Sequence, residues 1–379
     1  MEYVETMKTL DNLYSEAAEW LKQIRKSGLI AVVYHRDSDG VCSAVMAAKI
    51  LKHLGCGSVK IVPCDVSTPA VTPALMRSLS ELQPDYLVFV DMAVDQDPNP
   101  LVLLKQKYGT KIIVIDHHPM SMDLNMLDIK HINTRSADPR GYFPAAYMMY
   151  KIAGKLSGEL ARDHSWVALV GTIGDHGIDN CPDLVKDFSS AYGRIATTQK
   201  DFSQTKYGKA SEYIMSAKAS DDDGIETARI VLDRAINADA FLSAKTLKEW
   251  HANMQAVINH MVDNFEKDAE LNPNANIAVY TIKTDRRIES VVASILSDKF
   301  PRMTIVVCRE SQERIGCSLR NQKSADVSSL ARASIAGLKD ARGGGHPQAA
   351  AASVKKSDWA AFKNALINNS TKYPAPARK

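Results

Sequence analysis

LIAVVYHRDSDG, residues 29–40, decides how the chain is read. Its first half is a short β-branched apolar run, the pattern of a strand buried on both faces. Its second half turns abruptly polar, to His35, Arg36, Asp37, Ser38, Asp39 and Gly40. A buried strand that ends this way carries charge to one edge of a sheet. VCSAVMAAKILKHL (41–54) follows with helical apolar spacing.

Outward from this stretch the alternation repeats. Strands are expected at SVKIV (58–62), YLVFV (86–90) and KIIVI (111–115), with helices at 73–82 and 99–107 between them. Such alternation implies a parallel sheet with helices on both faces. Upstream, Tyr3, Met7, Leu10, Leu13, Ala17, Trp20, Leu21 and Ile24 predict an amphipathic helix over 3–26 that Gly28 ends. Downstream, helices over 144–158 and 164–172 close the unit.

The composition shifts near 198–224, which is polar and holds the acidic run Asp221, Asp222, Asp223. Helical patterns follow over 224–236 and 238–267, so 200–270 reads as a helical connector. Asn272, Pro273 and Asn274 mark a break. A second α/β pattern then has strands at 276–282, 303–308 and 314–320, helices near 288–298 and 326–336, and a last strand and helix after Gly345. The tail TKYPAPARK (371–379) is expected to fray. The expected architecture is α/β: an N-terminal parallel-sheet domain (1–199), the helical connector (200–270) and a smaller C-terminal α/β domain (271–379).

Composition sets bounds. At ~150 residues per domain, 379 residues suggest two or three domains. Lys plus Arg is 47 and Asp plus Glu is 44, so no overall basic charge announces nucleic acid. None of the six cysteines makes a CxxC pair, and most lie in apolar runs, so buried free thiols in a reducing compartment are expected. Glu2, Glu5 and Asp11 interrupt any signal-peptide core, and no apolar run approaches the ~20 residues of a membrane span. A cytoplasmic location without membrane contact is expected.

The chemistry lies where the strands end. LIAVVY runs into His35, Asp37 and Asp39; YLVFV into Asp91; KIIVI into Asp116, His117 and His118; and the apolar helix HSWVALVGT (164–172) leads to Asp175 and His176. The carboxyl edge of an open α/β sheet is where ligands bind. Carboxylates mixed with imidazoles suit Mn²⁺ or a similar ion better than Ca²⁺. If HRDSD stays extended, His35, Asp37 and Asp39 face one side together. Gly40 then permits a tight turn into the next helix. So many carboxylates at one edge repel one another without cations, and two divalent ions resolve that. In the C-terminal domain, Gly343, Gly344 and Gly345 expose backbone N–H groups able to form an anion nest. His346 adds a donor and Arg320 a bidentate phosphate clamp.

HRDSDG, VDM, IDHHP and GTIGDHG resemble, in order, the four motifs of the DHH phosphoesterase superfamily, and GGGHPQAA (343–350) resembles the glycine-rich motif of its associated C-terminal domain. The pattern looks most like an archaeal RecJ-like exonuclease. The resemblance implies that His35 and Asp37 bind one metal, that Asp39, His117 and Asp175 bind a second, and that Asp91 bridges them. It places Asp116 behind His117 as its orienting partner and His118 against the substrate phosphate. It assigns no role to His176. The implied cofactor is a pair of Mn²⁺ ions, with Mg²⁺ as the alternative.

The expected reaction is in-line attack on phosphorus by a metal-acidified water, with Asp116 and His118 assisting, on single-stranded DNA or RNA. Arg286, Arg287, Arg302, Arg309, Arg314, Arg320 and Lys323 favour a longer strand. The alternative is a nanoRNase-type or cyclic-dinucleotide phosphodiesterase acting on very short substrates. A non-catalytic replication scaffold is disfavoured because such relatives lose metal ligands and this chain keeps them all. A manganese pyrophosphatase is disfavoured because its second domain lacks GGGH. Replication or repair proteins and a second copy of the chain are the expected protein partners.

Overall fold

The computed structural model describes residues 9–64, 70–323 and 325–373. The chain divides into two compact units, Met1–His251 and Ala252–Lys379.

The first unit is built on strands β1 (Ile30–Tyr34), β2 (Val59–Pro63), β3 (Tyr86–Val90), β4 (Lys111–Asp116) and β5 (Lys130–Asn133). All four pairings are parallel, in the order β2-β1-β3-β4-β5. Helices α1 (Leu10–Lys22), α2 (Ser38–His53), α3 (Pro73–Leu82), α4 (Asn99–Tyr108), α5 (Ala145–Leu156), α6 (Gly158–Asp163), α7 (Ser165–Gly174) and α8 (Pro182–Tyr192) accompany it. Alternate side chains of each strand enter opposite cores. Ile30, Val32, Val88, Val90, Ile113 and Ile115 pack with residues of α1, α2, α5 and α7. Ala31, Val33, Leu87, Phe89 and Val114 pack with Leu75 and Leu79 of α3 and Leu101 and Leu104 of α4. A sheet covered on both faces offers ligands its carboxyl edge. β1 and β3 are neighbours while β2 lies on the far side of β1, so the order reverses between β1 and β3, the switch point where such sheets open a crevice.

The first helix covers Leu10–Lys22 and is capped by the Thr9 hydroxyl. It ends short of Gly28, and residues 3–8 of the expected helix lie outside the described residues. β5 and α8 were not expected. β5 has only four residues and mixes polar with apolar side chains, so its period is unreadable in isolation.

The polar stretch after 198 is helical. α9 (Gln199–Ser203) and α10 (Lys206–Ser220) fill it, α11 (Gly224–Arg234) is the helix expected over 224–236, and α12 (Ala238–Leu242), α13 (Lys245–Asp263) and α14 (Phe265–Asp268) replace the single helix expected over 238–267. Phe202, Tyr207, Ile214, Ile225, Leu232 and Phe241 are buried in the same core as the sheet. At roughly 1.5–3 kcal/mol for each large apolar side chain fully buried, helices α9–α12 are part of the first unit's core.

The second unit has strands β6 (Glu270–Asn272), β7 (Ile277–Ile282), β8 (Thr304–Glu310), β9 (Arg314–Arg320), β10 (Arg342–His346) and β11 (Ala349–Lys355), in the order β10-β11-β9-β8-β7-β6. Only β7 and β8 are parallel, joined through α15 (Glu289–Lys299). α16 (Val327–Ile335) and α17 (Trp359–Asn369) bury Leu330, Phe362 and Leu366 against one face. The tail is docked as far as Tyr373, whose carbonyl accepts the Asp326 N–H at 2.9 Å. Residues 374–379 lie outside the description.

All six cysteines are free and buried. Among the described residues no helix is long and apolar enough to cross a membrane.

Candidate metal centre

Strand order puts Asp91 at the middle of the site. β3 lies between β1 and β4, so the residue after β3 sits between those after β1 and β4. Asp91 takes a left-handed backbone, φ 58°, which aspartate tolerates better than most residues. One carboxylate then faces both neighbours: Oδ2 lies 3.3 Å from His35 Nδ1 and Oδ1 lies 3.2 Å from His117 Nε2. Asp91 is 1% exposed, and its Oδ2 accepts no hydrogen bond of good geometry.

Around it three overlapping groups form among the described residues, one of them Asp91, Asp116, His117 and His118. His35, Asp37 and Asp91 offer ligand atoms within 4.8 Å of one another, as do Asp39, His117 and Asp175. In the His35 group, His35 Nδ1 is 2.7 Å from Asp37 Oδ2. In the Asp39 group, His117 Nε2 is 3.6 Å from Asp175 Oδ2 and 3.9 Å from Asp39 Oδ2. All six metal-ligand candidates therefore meet.

The local backbone differs from the extended HRDSD expected. Extension stops at Asp37, the N-cap of α2, whose carboxylate accepts the Gly40 N–H at 3.0 Å. Asp39 already lies in the first turn of α2. A capping aspartate competes well for free helix N–H groups, which is why the chain coils here. Gly40 serves close approach inside this turn: a Cβ there would lie 2.1 Å from the His35 carbonyl oxygen. Gly40→Ala is therefore expected to displace His35, to destabilise the fold by about 1–3 kcal/mol and to weaken metal binding. Thermal unfolding of the metal-free protein and a Mn²⁺ titration check both effects.

The electrostatics test whether these residues fit cations. Four carboxylates surround two imidazoles in a buried space. Burial, then the charges of Asp91, Asp175 and Asp37, hold the Asp39 carboxyl well above the usual range. Burial also pushes Asp175 up to about 6, against the pull of His117 and Tyr142. For His35 burial acts downward, but the Asp37 and Asp91 carboxylates beside its Nδ1 outweigh it and raise the imidazole to about 11. His117 is likewise raised, burial being overcome by Asp91 and Asp175. Without a metal the site thus draws in protons to offset its own negative charge. Divalent ions, which compete with protons for the same lone pairs, fit this donor set.

Asp116 holds a different histidine from the one expected. Its Oδ1 is 2.8 Å from His118 Nδ1 and its Oδ2 accepts the His118 N–H at 3.2 Å. His117 Nδ1 has no hydrogen bond. A two-residue offset lets a side chain curl back onto the residue ahead, whereas the His117 ring is already turned into the carboxylates. The His118 side chain is 28% exposed against 4% for His117, so it can meet a substrate. Burial works against its protonation, yet Asp116 raises it to about 9. His176, left without a role, takes a left-handed turn (φ 55°) with its Nδ1 3.4 Å from the Gln199 amide.

Three contributors went unread in the sequence. The Tyr142 hydroxyl donates to Asp175 Oδ2 at 2.6 Å. Arg135 donates from Nε to the His117 carbonyl at 3.3 Å. Asp95, 2% exposed, accepts the backbone N–H groups of Ser121 and Met122 and so fixes the loop after the histidines. None sits in a motif, and only the fold brings them near.

In the second unit the glycine run forms no nest. Gly343, Gly344 and Gly345 lie in β10, an edge strand paired antiparallel with β11, so part of the backbone is engaged in the ladder. Gly345, at φ 143°, leaves no room for a side chain, since a Cβ would meet the Ala349 carbonyl at 2.5 Å. His346 is exposed. Arg320 is tied inward, to Ser290 Oγ at 2.7 Å and Ser294 Oγ at 3.2 Å. Arg309 pairs with Glu289, and Arg314 bonds to Ser353 and the Asp340 carbonyl. These three arginines hold the domain together as well as adding charge, which weakens the argument for a basic track along it.

Comparison with known proteins agrees with the geometry. The DHH family N-terminal domain matches residues 29–172 and the DHHA1 domain matches residues 274–370. No curated protein sequence matches the chain. The chain is similar to the structure of RecJ in complex with Mn²⁺ from Thermus thermophilus, at 18% identity and a TM-score of 0.71, covering 97% of this chain and 56% of that one. It is similar to an exonuclease RecJ bound to manganese, at 18% identity and a TM-score of 0.64, covering 99% and 98%. It is also similar to CDC45 from Entamoeba histolytica, at 9% identity and a TM-score of 0.54, covering 95% and 99%. At these identities the likeness is one of fold. This chain belongs to the DHH family, carrying a DHH N-terminal domain followed by a DHHA1 domain.

Proposed function

We propose that the chain is a metal-dependent exonuclease of the RecJ-like kind, removing nucleotides from single-stranded DNA or RNA. The observation that carries this is the single Asp91 carboxylate between His35 and His117, with Asp37, Asp39 and Asp175 completing two groups beside it. Two ions bound there would neutralise phosphate charge and bring the pKa of a water toward ~7. Mn²⁺ is the proposed ion, supported by the mixed carboxylate and imidazole donors and by the RecJ structures that hold it.

The chain's own residues do the rest. His35 and Asp37 would hold one ion and Asp39, His117 and Asp175 the other, with Asp91 placed beside both groups. Asp116 accepts a hydrogen bond from His118 Nδ1–H and so fixes the ring, leaving Nε2 to face a phosphate oxygen. The buried floor of β1, β3 and β4 excludes water from behind the ligands. In the second unit, exposed His346 and the open side of the glycine strand are the proposed contacts for a phosphate or terminal nucleotide. Arg320 reaches substrate only by exchanging its serine partners.

A phosphodiesterase for very short substrates is the second reading. It is favoured by the inward ties of Arg309, Arg314 and Arg320, which leave less free charge for a long strand. A protein that assembles with replication or repair partners is compatible with either.

A strand of about twenty nucleotides, labelled at either end as DNA or RNA and incubated with Mn²⁺ beside a dinucleotide, separates the readings. A ladder growing from one end is the expected result. Cleavage of the dinucleotide with the long strand left intact would replace the exonuclease with the second reading.

A further inference from the structure

The segment between β5 and α5 touches every member of one ligand group. Arg135 donates from Nε to the His117 carbonyl and from Nη1 to the carbonyls of Pro139 (3.1 Å) and Gly141 (2.7 Å). Asp138 Oδ1 accepts the N–H groups of Arg140 and Gly141. The loop is thereby stiffened from both sides. It presents the Tyr142 hydroxyl to Asp175 at 2.6 Å and the Tyr142 ring edge-on to His117, centroids 5.2 Å apart. It ends in α5, whose first N–H groups, Ala145 and Ala146, donate to Asp39 Oδ2 at 2.7 Å and Oδ1 at 2.8 Å. Asp39, His117 and Asp175 are thus all held by residues 135–146.

The other group is held from its own strand and helix: Asp37 takes the Gly40 N–H and lies against His35. The two groups therefore have separate mechanical supports. The need for support is greatest at Asp175. It caps the carboxyl end of α7, where the helix dipole opposes a negative charge. Tyr142 is a neutral donor that stabilises this carboxylate and fixes its rotation.

We propose that the 135–146 loop is a brace for one metal ion and not the other, with Tyr142 as its positioning residue. It follows that the affinities of the two ions can be changed separately. This rests on the two-ion reading above.

The test is a calorimetric Mn²⁺ titration of the metal-stripped full chain, unaltered and as Tyr142→Phe, with the melting temperature of each metal-free protein. Phenylalanine keeps the ring against His117 and removes only the donor. The expected result is two ions in the unaltered chain. In Y142F one site should weaken by about 10–100-fold, as for lost outer-shell partners, and the other should stay within about twofold. Turnover should recover at saturating Mn²⁺ with KM unchanged. Arg135→Lys should weaken the same site to a smaller degree. Two ions bound with unaltered affinities in Y142F would overturn the brace alone. Both affinities falling together, with a lowered melting temperature, would also overturn it, since Tyr142 would then be ordinary packing. Fewer than two ions in the unaltered chain would overturn the two-ion reading on which the brace depends.

Discussion

Asp91→Ala is expected to abolish hydrolysis, by more than about a thousandfold, and to weaken both metal sites at once. Removal of a single preorganised charge from an active site already costs about 10²–10³ in rate, and Asp91 serves two sites. Its carboxylate lies 3.3 Å from His35 and 3.2 Å from His117, on opposite sides of β3. Loss of its charge also removes the main partner that raises His117. Metal content and single-turnover rate of the variant decide the matter. Two tightly held ions with a near-normal rate would remove Asp91 from the centre. Loss of one ion alone would make it a ligand of that ion only.

The second large effect is expected at His118, with metal binding preserved. His118→Ala should keep both ions and lose about 10²–10⁴ in turnover, the range for a positioned acid or charge donor. Asp116→Asn should fall in the same direction by a smaller factor, because it loosens His118 and leaves His117 in place. The geometry is specific on this point: both Asp116 oxygens are committed to His118. If Asp116 instead served His117, D116N would release a metal ion. Metal analysis of the two variants beside their rates separates these outcomes. An ion missing from H118A would make His118 a ligand, a role its Nδ1 distance of 3.9 Å from Asp91 leaves to be tested.

The sequence carried the parts that rest on strong local patterns. β1, β3 and β4 are unbroken apolar runs, and their ends read as one edge of one sheet from the order of residues alone. What it could not carry was neighbourhood. That Asp91 stands between His35 and His117 depends on β3 pairing with both β1 and β4, a fact of topology rather than of spacing. The same limit explains Asp116. Adjacent histidines look equivalent in a string of letters, and only the backbone after β4 decides which ring the aspartate meets. Tyr142 lies 33 residues from Asp175 in a loop with no motif of its own. The glycine run misled for a local reason: three glycines permit a nest, but pairing with the alanines of β11 draws them into a strand. Helices α9–α12 looked like a connector because their surfaces are polar, while the few large side chains that tie them to the core are widely spaced.

The central claim is that hydrolysis runs on ions held at this sheet edge. The most direct measurement strips the protein with a chelator and restores Mn²⁺ stepwise. Bound metal and cleavage of an end-labelled single strand are followed in the same samples. The account predicts no cleavage in the stripped protein, two ions bound per chain at saturation, and a rate that rises with their occupancy. Full cleavage by the metal-free protein, or saturation with Mn²⁺ that leaves the phosphodiester intact in both long strands and dinucleotides, would contradict it.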